Sequence, residues 1–330
     1  MRTVLRQLVA RYCPADIAVF TKFQRPPYGG VNQFMLALCG EFKRRGLRVG
    51  SNAISSSARA CLFIAQLFDF KQLQLQRQRY PGCRMVHRVD GPVGIYRGDD
   101  DGTDQYIWKI NEEIADATIV QSRYSLEKNK ALGYEFKSPV VITNAVDPYI
   151  FRPATSKTIP NGRKVRLIST SWSTHPNKGA ATYKWVEENL DWSRFEYTFV
   201  GRTPVAFEKI RTVPAVASQQ LADLLRQHDI YLTASLHESC SNALIEALAC
   251  GLPAIYVASG GNPEIVKEAG FGYTEREEIP LLLDRLVEEY EVRKSRISIP
   301  TLAQVADRYL DVLGDFAEYR TDRRSSLPDT

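Results

Sequence analysis

The sequence predicts an α/β protein of two successive doubly wound units, and three observations carry that prediction. Short β-branched and aromatic runs alternate with amphipathic helical patterns along nearly the whole chain. A polar stretch with prolines and a glycine, "DPYIFRPATSKTIPNGRK" at 147–164, interrupts the rhythm. The same alternation then restarts. Strands that alternate with helices form mainly parallel sheets covered on both faces. A length of 330 residues also favours two domains of roughly 150 residues over one.

In the first half, "IAVFTKF" (17–23) reads as a strand, "PPYGG" as a turn and 31–46 as an amphipathic helix closed by Gly46. "ACLFIAQLF" (60–68) and "GCRMVHRVD" (82–90) read as strands, and the Gly- and Asp-rich stretch 91–104 as a loop. A helix at about 105–114, a strand at 117–122, a helix at 123–133 and a strand at 139–146 complete this half. Beyond the linker, strands are expected at 165–172, 195–201, 229–235 and 252–258, with helices at 179–190, 218–228 and after residue 238. A helix at about 278–293 and a last one at 302–319 follow. The expected architecture is two Rossmann-like domains facing across a cleft. Residues 1–150 form the first, 151–305 the second, 306–320 a helix returning to the first, and 321–330 a disordered tail.

Composition narrows the function. A net charge of +5 suits anionic small ligands but is too small to argue for nucleic acid, and none is expected as partner. No apolar run reaches the ~18 residues of a membrane span. "MRTVLRQLVARYC" reads as a short amphipathic helix, with a membrane-touching helix as the second reading. The six cysteines form no C-x-x-C pair, which fits reduced thiols in a cytoplasmic protein. The four histidines have no metal-ligand spacing on one helix.

Ligands of such sheets bind beyond the carboxyl ends of the strands, so the chemistry belongs in strand-to-helix loops. "HESCSNALIEALACGLPA" (237–254) is one such segment. Ser239, Ser241 and Asn242 are small, polar and able to cap, which lets a diphosphate approach the free N–H groups of a helix start. Glu238 would repel phosphate there, and is better suited to accept hydrogen bonds from sugar hydroxyls. Glu246, one to two turns further on, could reach a ribose diol. Read singly, Glu238 is equally a helix-start acid and Glu246 a solvated residue.

This segment resembles the E-x7-E motif of retaining GT-B glycosyltransferases of family 4. The likeness extends to "SGGNPEIV" (259–266), "VVITNAVDPYIFRP" (140–153), "ADATIVQSRYSLEKNKALGY" (115–134), "HRVDGP" (87–92), "GGVNQF" (29–34) and the closing "LAQVADRYLDVL". The resemblance implies that Glu238 binds the donor sugar, Glu246 the nucleotide ribose and Lys178 the diphosphate. It places Gly29 and Gly30 near the diphosphate or the acceptor, His87 at the donor sugar or acceptor hydroxyl, and Asp90 at the acceptor. Family members often carry an arginine in a "GR" pair shortly before the lysine. Here Ser171 and Trp172 stand instead, and Arg202 in "FVGRTP" is the candidate replacement.

The implied reaction is retaining transfer of a sugar from a nucleotide-diphosphate sugar to a hydroxyl of a glycan or lipid-linked acceptor, as in polysaccharide biosynthesis. It needs no metal and no cofactor. "GDDDGTD" (98–104) contains Asp99-x-Asp101, a metal–diphosphate pattern of other glycosyltransferases, but reads better as a solvated loop. "EFKRRG" (41–46) hints at an acceptor near a membrane surface, with peripheral contact. The competing readings are a nucleotide-sugar epimerase of the same fold, an inactive nucleotide-sugar-binding protein, and an NAD-dependent oxidoreductase. The last lacks a G-x-G-x-x-G after the first strand.

Overall fold

The computed structural model describes residues 14–24, 29–154 and 162–320. Two compact units divide the chain. One takes in the chain up to Gln24, Met35–Thr143 and the chain from Thr301; the other takes in the stretch ending at Phe34 and Asn144–Pro300.

Each unit is built on a six-stranded sheet whose paired strands are all parallel. In the first, β1 (Ile17–Phe20), β2 (Val49–Ser51), β3 (Ala60–Ile64), β4 (Arg84–Val89), β5 (Ala117–Val120) and β6 (Pro139–Val141) lie in the order β2-β1-β3-β4-β5-β6. In the second, β7 (Val165–Ser171), β8 (Phe195–Gly201), β9 (Arg211–Val213), β10 (Ile230–Thr233), β11 (Ala254–Val257) and β12 (Gly270–Tyr273) lie in the order β12-β11-β10-β7-β8-β9.

The core of the second unit shows why these runs become strands. Alternate residues of one strand enter opposite layers, as a period of two requires. Leu167, Leu232 and Ile255 join Tyr183, Val186, Leu283 and Leu286 on one face. Ile168, Tyr231 and Tyr256 join Leu221, Leu225, Leu244 and Leu248 on the other. Both faces are thus covered by helices, which explains why β10 and β11 read as nearly continuous apolar runs, while the buried Ser169 and Thr170 of β7 are hydrogen-bonded to Tyr197 and Tyr231.

Several expectations about elements are corrected. Two edge strands, β2 and β9, and the glycine-bearing β12 were not expected from the sequence, nor was the helix Phe70–Arg79. The loop 91–104 contains a short helix, Val93–Arg97, whose first N–H groups, those of Val93 and Gly94, donate to the buried Asp104 carboxylate at 2.7 and 2.8 Å. The expected helix 278–293 is two, Ile279–Glu288 and Tyr290–Ser295. The last helix stops at Leu313 because Gly314 takes φ of 120°, and among the described residues a single 3₁₀ turn, Ala317–Tyr319, follows. The proposed N-terminal helix and the 321–330 tail lie outside the described residues.

One residue of the basic cluster at 41–46 is spent inside the first unit. Arg45 is buried, pairs with Asp307 at 2.5 Å and Glu41 at 2.8 Å, and donates to Ala303 O at 2.8 Å. Arg44 pairs with Glu41 as well, at 2.9 Å. These charges hold the helix Leu302–Leu313 against the helix Gly30–Arg44, while Lys43 and Arg44 stay exposed. Among the described residues no helix is long and apolar enough to cross a membrane.

Candidate functional site

The order of the second sheet reverses between β7 and β10: the chain runs outward from β7 through β8 and β9, then returns to start β10 on the other side. The loops leaving β7 and β10 therefore part at this point and open a crevice above the strand ends. The loop after β7 ends in a 3₁₀ turn, Pro176–Lys178. The loop after β10 leads into the helix Asn242–Ala249. Lys178, Glu238 and the capping residues all sit on these two loops.

Local packing fixes both backbones. Gly179 adopts φ of 77°, and a Cβ there would lie 2.4 Å from the Cβ and carbonyl oxygen of Ala234. Only glycine fits, on both backbone and space grounds. Leu236 N–H donates to Asn177 O at 2.8 Å, and Ala234 N–H donates to the buried Tyr183 hydroxyl at 3.0 Å. On the far side, His237, with φ of 57°, donates its N–H to Ser259 Oγ at 3.0 Å. Gly261 N–H donates to Glu238 O at 2.7 Å. The fully buried Asn262 donates Nδ2 to Ser235 O at 3.2 Å and Val257 O at 3.4 Å. Between these supports the Lys178 ammonium donates to Glu238 Oε1, and the pair stays partly open to solvent, at 22% and 17% side-chain exposure.

The helix begins at Ser241, whose hydroxyl accepts the Leu244 N–H at 3.4 Å and whose φ and ψ of −70° and 105° are those of an N-cap. The earliest N–H groups of any helix have no carbonyl within it to bond. No acid stands in this helix's first turn to compete for an anion there. Leu244, Ile245, Ala247 and Leu248 anchor the helix in the core. Asn242 and Glu246, four residues apart, share the half-buried face. Asn242 Oδ1 accepts from Asn144 Nδ2 at 2.9 Å. Among the described residues, the Glu246 carboxyl makes no hydrogen bond and no ion pair. Burial without a compensating partner pushes it up to about 8.

The remaining candidates are placed differently. Ser239 is half-buried on the same loop as Glu238. Gly29 takes φ of 66°, and a Cβ on Gly30 would lie 2.5 Å from Asn242 Nδ2, so the close approach expected there is made to a protein amide. Arg202 is exposed on the loop after β8, its N–H donating to Ser171 O at 2.7 Å. Asp90, in the first unit, receives Arg88 Nη1 at 3.0 Å and is about a third exposed.

His87 is corrected from a contact residue to a core residue of the first unit. It is fully buried and stacks on Phe63 with ring centroids 4.4 Å apart. Its Nε2 donates to Ala65 O at 2.9 Å and its Nδ1 accepts from Asn111 Nδ2 at 3.2 Å. Burial drives it down to about 3, so the ring is neutral and both nitrogens are in use. The fully buried Arg88 takes the opposite face of β4 and reaches the Tyr309 hydroxyl at 3.2 Å.

Sequence reasoning missed the residues that support the site. Tyr183, Gly179 and Asn262 act through backbone atoms distant in sequence, and the buried Glu187 shapes the loop that carries Arg202. Glu187 Oε1 accepts the N–H groups of Glu208, Lys209 and Ile210 at 2.7, 2.7 and 3.0 Å, and Oε2 meets Lys184 Nζ at 2.6 Å. The acids at 98–104 serve their own loop: Asp100 and Asp101 accept the N–H groups of Gly102 and Thr103. No group of three His, Cys, Asp or Glu among the described residues is placed to hold a metal.

Comparison with known proteins follows the same outline. Residues 189–288 match the family described as "Glycosyl transferases group 1". A stretch of 53 residues is 42% identical to N-acetyl-alpha-D-glucosaminyl L-malate synthase of Bacillus anthracis; it is 16% of this chain and spans only 14% of that protein. Sucrose-phosphate synthase from Thermosynechococcus elongatus superposes with a TM-score of 0.68 at 14% identity, covering 94% of this chain and 97% of the other. Anabaena HepE, solved with UDP-glucose, superposes with a TM-score of 0.63 at 14% identity over 94% and 100%. The fold is the two-domain α/β fold of the GT-B glycosyltransferases.

Proposed function

We propose that this protein is a glycosyltransferase of the retaining family 4 type, which moves a sugar from a nucleotide-diphosphate sugar to a hydroxyl of a glycan or lipid-linked acceptor. The observation that carries the reading is the set of groups at the order reversal of the second sheet. A cation (Lys178), a helix start without acids (Ser241–Asn242) and a carboxylate (Glu238) stand on the two loops that part there, and a second carboxyl (Glu246) on the helix that follows. A diphosphate suits the cation and the helix N–H groups. Sugar and ribose hydroxyls suit the two carboxyls. The partial match to the glycosyltransferase group 1 family and the HepE complex with UDP-glucose support the same reading.

In this reading the acceptor oxygen forms a bond to the anomeric carbon as the bond from that carbon to the phosphate oxygen breaks. The departing phosphate takes the acceptor proton. Charge grows on the phosphate oxygen, and Lys178 with the N–H groups of Asn242 and Ala243 stabilises it where it develops. Arg202 supplies the second cation from the loop after β8, and Ser239 lines the donor side. Asp90 is assigned to the acceptor. The reaction needs no metal and no cofactor, and the buried thiols Cys39, Cys61, Cys83 and Cys250 fit a cytoplasmic setting, with peripheral membrane contact supplied by the acceptor.

A panel of UDP-, ADP- and GDP-sugars assayed for transfer and hydrolysis tests the reading. One donor is expected to turn over, Glu246→Ala to weaken its binding, and Lys178→Ala to lower kcat more than affinity. Donor binding with no transfer to any acceptor or to water favours an inactive binding protein. Transfer that survives both substitutions refutes the site.

A further inference from the structure

Glu238 carries a second consequence, which rests on the reading above. Its carboxylate holds the Lys178 ammonium. Both groups are needed elsewhere when a nucleotide sugar is bound: Lys178 on the diphosphate and Glu238 on the sugar hydroxyls. A sugar nucleotide can satisfy both at once, because it brings an anion for the lysine and hydroxyls for the carboxylate. A nucleoside diphosphate without its sugar brings only the anion. It draws the Lys178 ammonium towards its phosphates and weakens the hold on that partly buried carboxylate, which is left beside a phosphate of its own charge.

We propose that Glu238 is a specificity-determining residue: through its ion pair with Lys178, it selects the intact donor over the spent nucleoside diphosphate and speeds release of the latter. The supports of the loop bear this out physically. Glu238 O is held by Gly261 N–H at 2.7 Å, and Gly260 packs so closely on it that a Cβ there would lie 2.3 Å from that oxygen. Lys178 sits on a 3₁₀ turn whose Asn177 carbonyl is tied to Leu236. With both backbones tied, partner exchange falls to the side chains. Competition for the single ammonium is therefore built into the crevice rather than relieved by loop movement.

The test is calorimetric titration of UDP and UDP-glucose, or the ADP or GDP pair if the donor panel selects that base, into the full chain and its variants. Glu238→Gln keeps the shape and removes the charge. It is expected to tighten UDP binding by about tenfold, towards the low end of ordinary coupling between ligands, while weakening UDP-glucose. In a Lys178→Met background the same substitution is expected to change UDP affinity several-fold less, which separates competition for the lysine from plain charge repulsion. Product inhibition by UDP should strengthen in Glu238→Gln by the same factor as its binding. If Glu238→Gln is unstable, Glu238→Asp serves: the shorter acid loosens the pair and must tighten UDP in the same direction. UDP affinity that stays equal or falls in these variants, while UDP-glucose still binds the parent, overturns this inference alone. Failure of every nucleotide sugar to bind the parent overturns the reading beneath it as well.

Discussion

The sharpest consequence of the site concerns Glu246 and pH. Burial pushes its carboxyl up to about 8, and no described residue offers it a hydrogen bond or opposite charge. At pH 7 roughly one molecule in ten then carries the ionised form. A ribose diol donates two hydroxyl hydrogens, and an ionised carboxylate accepts both far better than a carboxylic acid does. Donor binding therefore draws the ionised form and releases a proton. If the bound carboxyl titrates well below 6, apparent affinity rises by close to a factor of ten per pH unit below 8. Between pH 6 and pH 8 the gain is roughly fiftyfold, near the 1.36 kcal/mol per unit that proton linkage allows.

A nucleotide sugar is the right probe, because its diphosphate is esterified at both ends and does not itself titrate near neutrality. Titration calorimetry in two buffers of different ionisation heat should show release of about 0.9 proton at pH 7. Glu246→Gln should bind weakly, with no proton release and a flat profile from pH 6 to 8. The ligand-free protein reports the same group with the opposite sense. A carboxyl raised above its unfolded value binds more protons in the native state, so the parent loses stability as pH rises from about 4.5 through 8. Glu246→Gln should escape that loss in thermal melts. Flat donor affinity in the parent, together with no proton release, refutes the argument that this buried acid reads hydroxyls as an anion.

Two further outcomes test the supports. Burial alone would raise Glu187, but the Lys184 ammonium and the N–H groups of Ile210, Lys209 and Glu208 outweigh it and hold the carboxyl at about 2. The fall from the ordinary 4.5 corresponds to roughly 3 kcal/mol of stability, present above pH 4.5 and lost as pH falls towards 2. Glu187→Gln should lower Tm at pH 7 with the gap to the parent narrowing at pH 3; an equal gap at both would refute it. Gly179→Ala strains a left-handed residue and drives a methyl group into Ala234, at a cost of about 2–4 kcal/mol, and kcat should fall beyond the loss of folded protein. Unchanged kcat and Tm would show that this contact yields easily.

The parts of the fold that are visible in the sequence are those where one physical signal dominates. β10 and β11 are covered on both faces, so their residues are almost all apolar, and the runs stand out. β2 and β9 are three-residue edge strands with half-exposed or exposed side chains, and β12 reads Gly-Phe-Gly-Tyr. Nothing in such residues distinguishes a strand from a loop, because a neighbouring strand creates them. The helix Phe70–Arg79 is polar all round and buries only Leu73 and Gln76. Its N-cap, Asp69, accepting from Gln72 N–H at 3.0 Å, was the one local signal available.

The site divides along the same line. Which loops carry the candidate residues could be read from the sequence, because helix caps and strand ends are local patterns. Which side chains remain available was not, because that depends on partners far along the chain. His87 and Glu246 show the difference most clearly. Both are titratable groups that the sequence places in or beside apolar runs, and the resemblance gave both a ligand. The fold gives His87 an acceptor from 22 residues upstream and a donor from 24 residues downstream, and closes Phe63 over it. It leaves Glu246 half-buried with no partner among the described residues. A buried polar group that is already satisfied has little to gain from a ligand, whereas an unsatisfied one recovers its desolvation cost only by binding something. The distinction between a structural and a functional polar residue in this protein therefore lies in the completeness of its hydrogen bonding, a property of three-dimensional neighbours. By that criterion Glu246 is the residue whose substitution should separate binding from folding: its loss removes a liability from the empty protein and a contact from the loaded one.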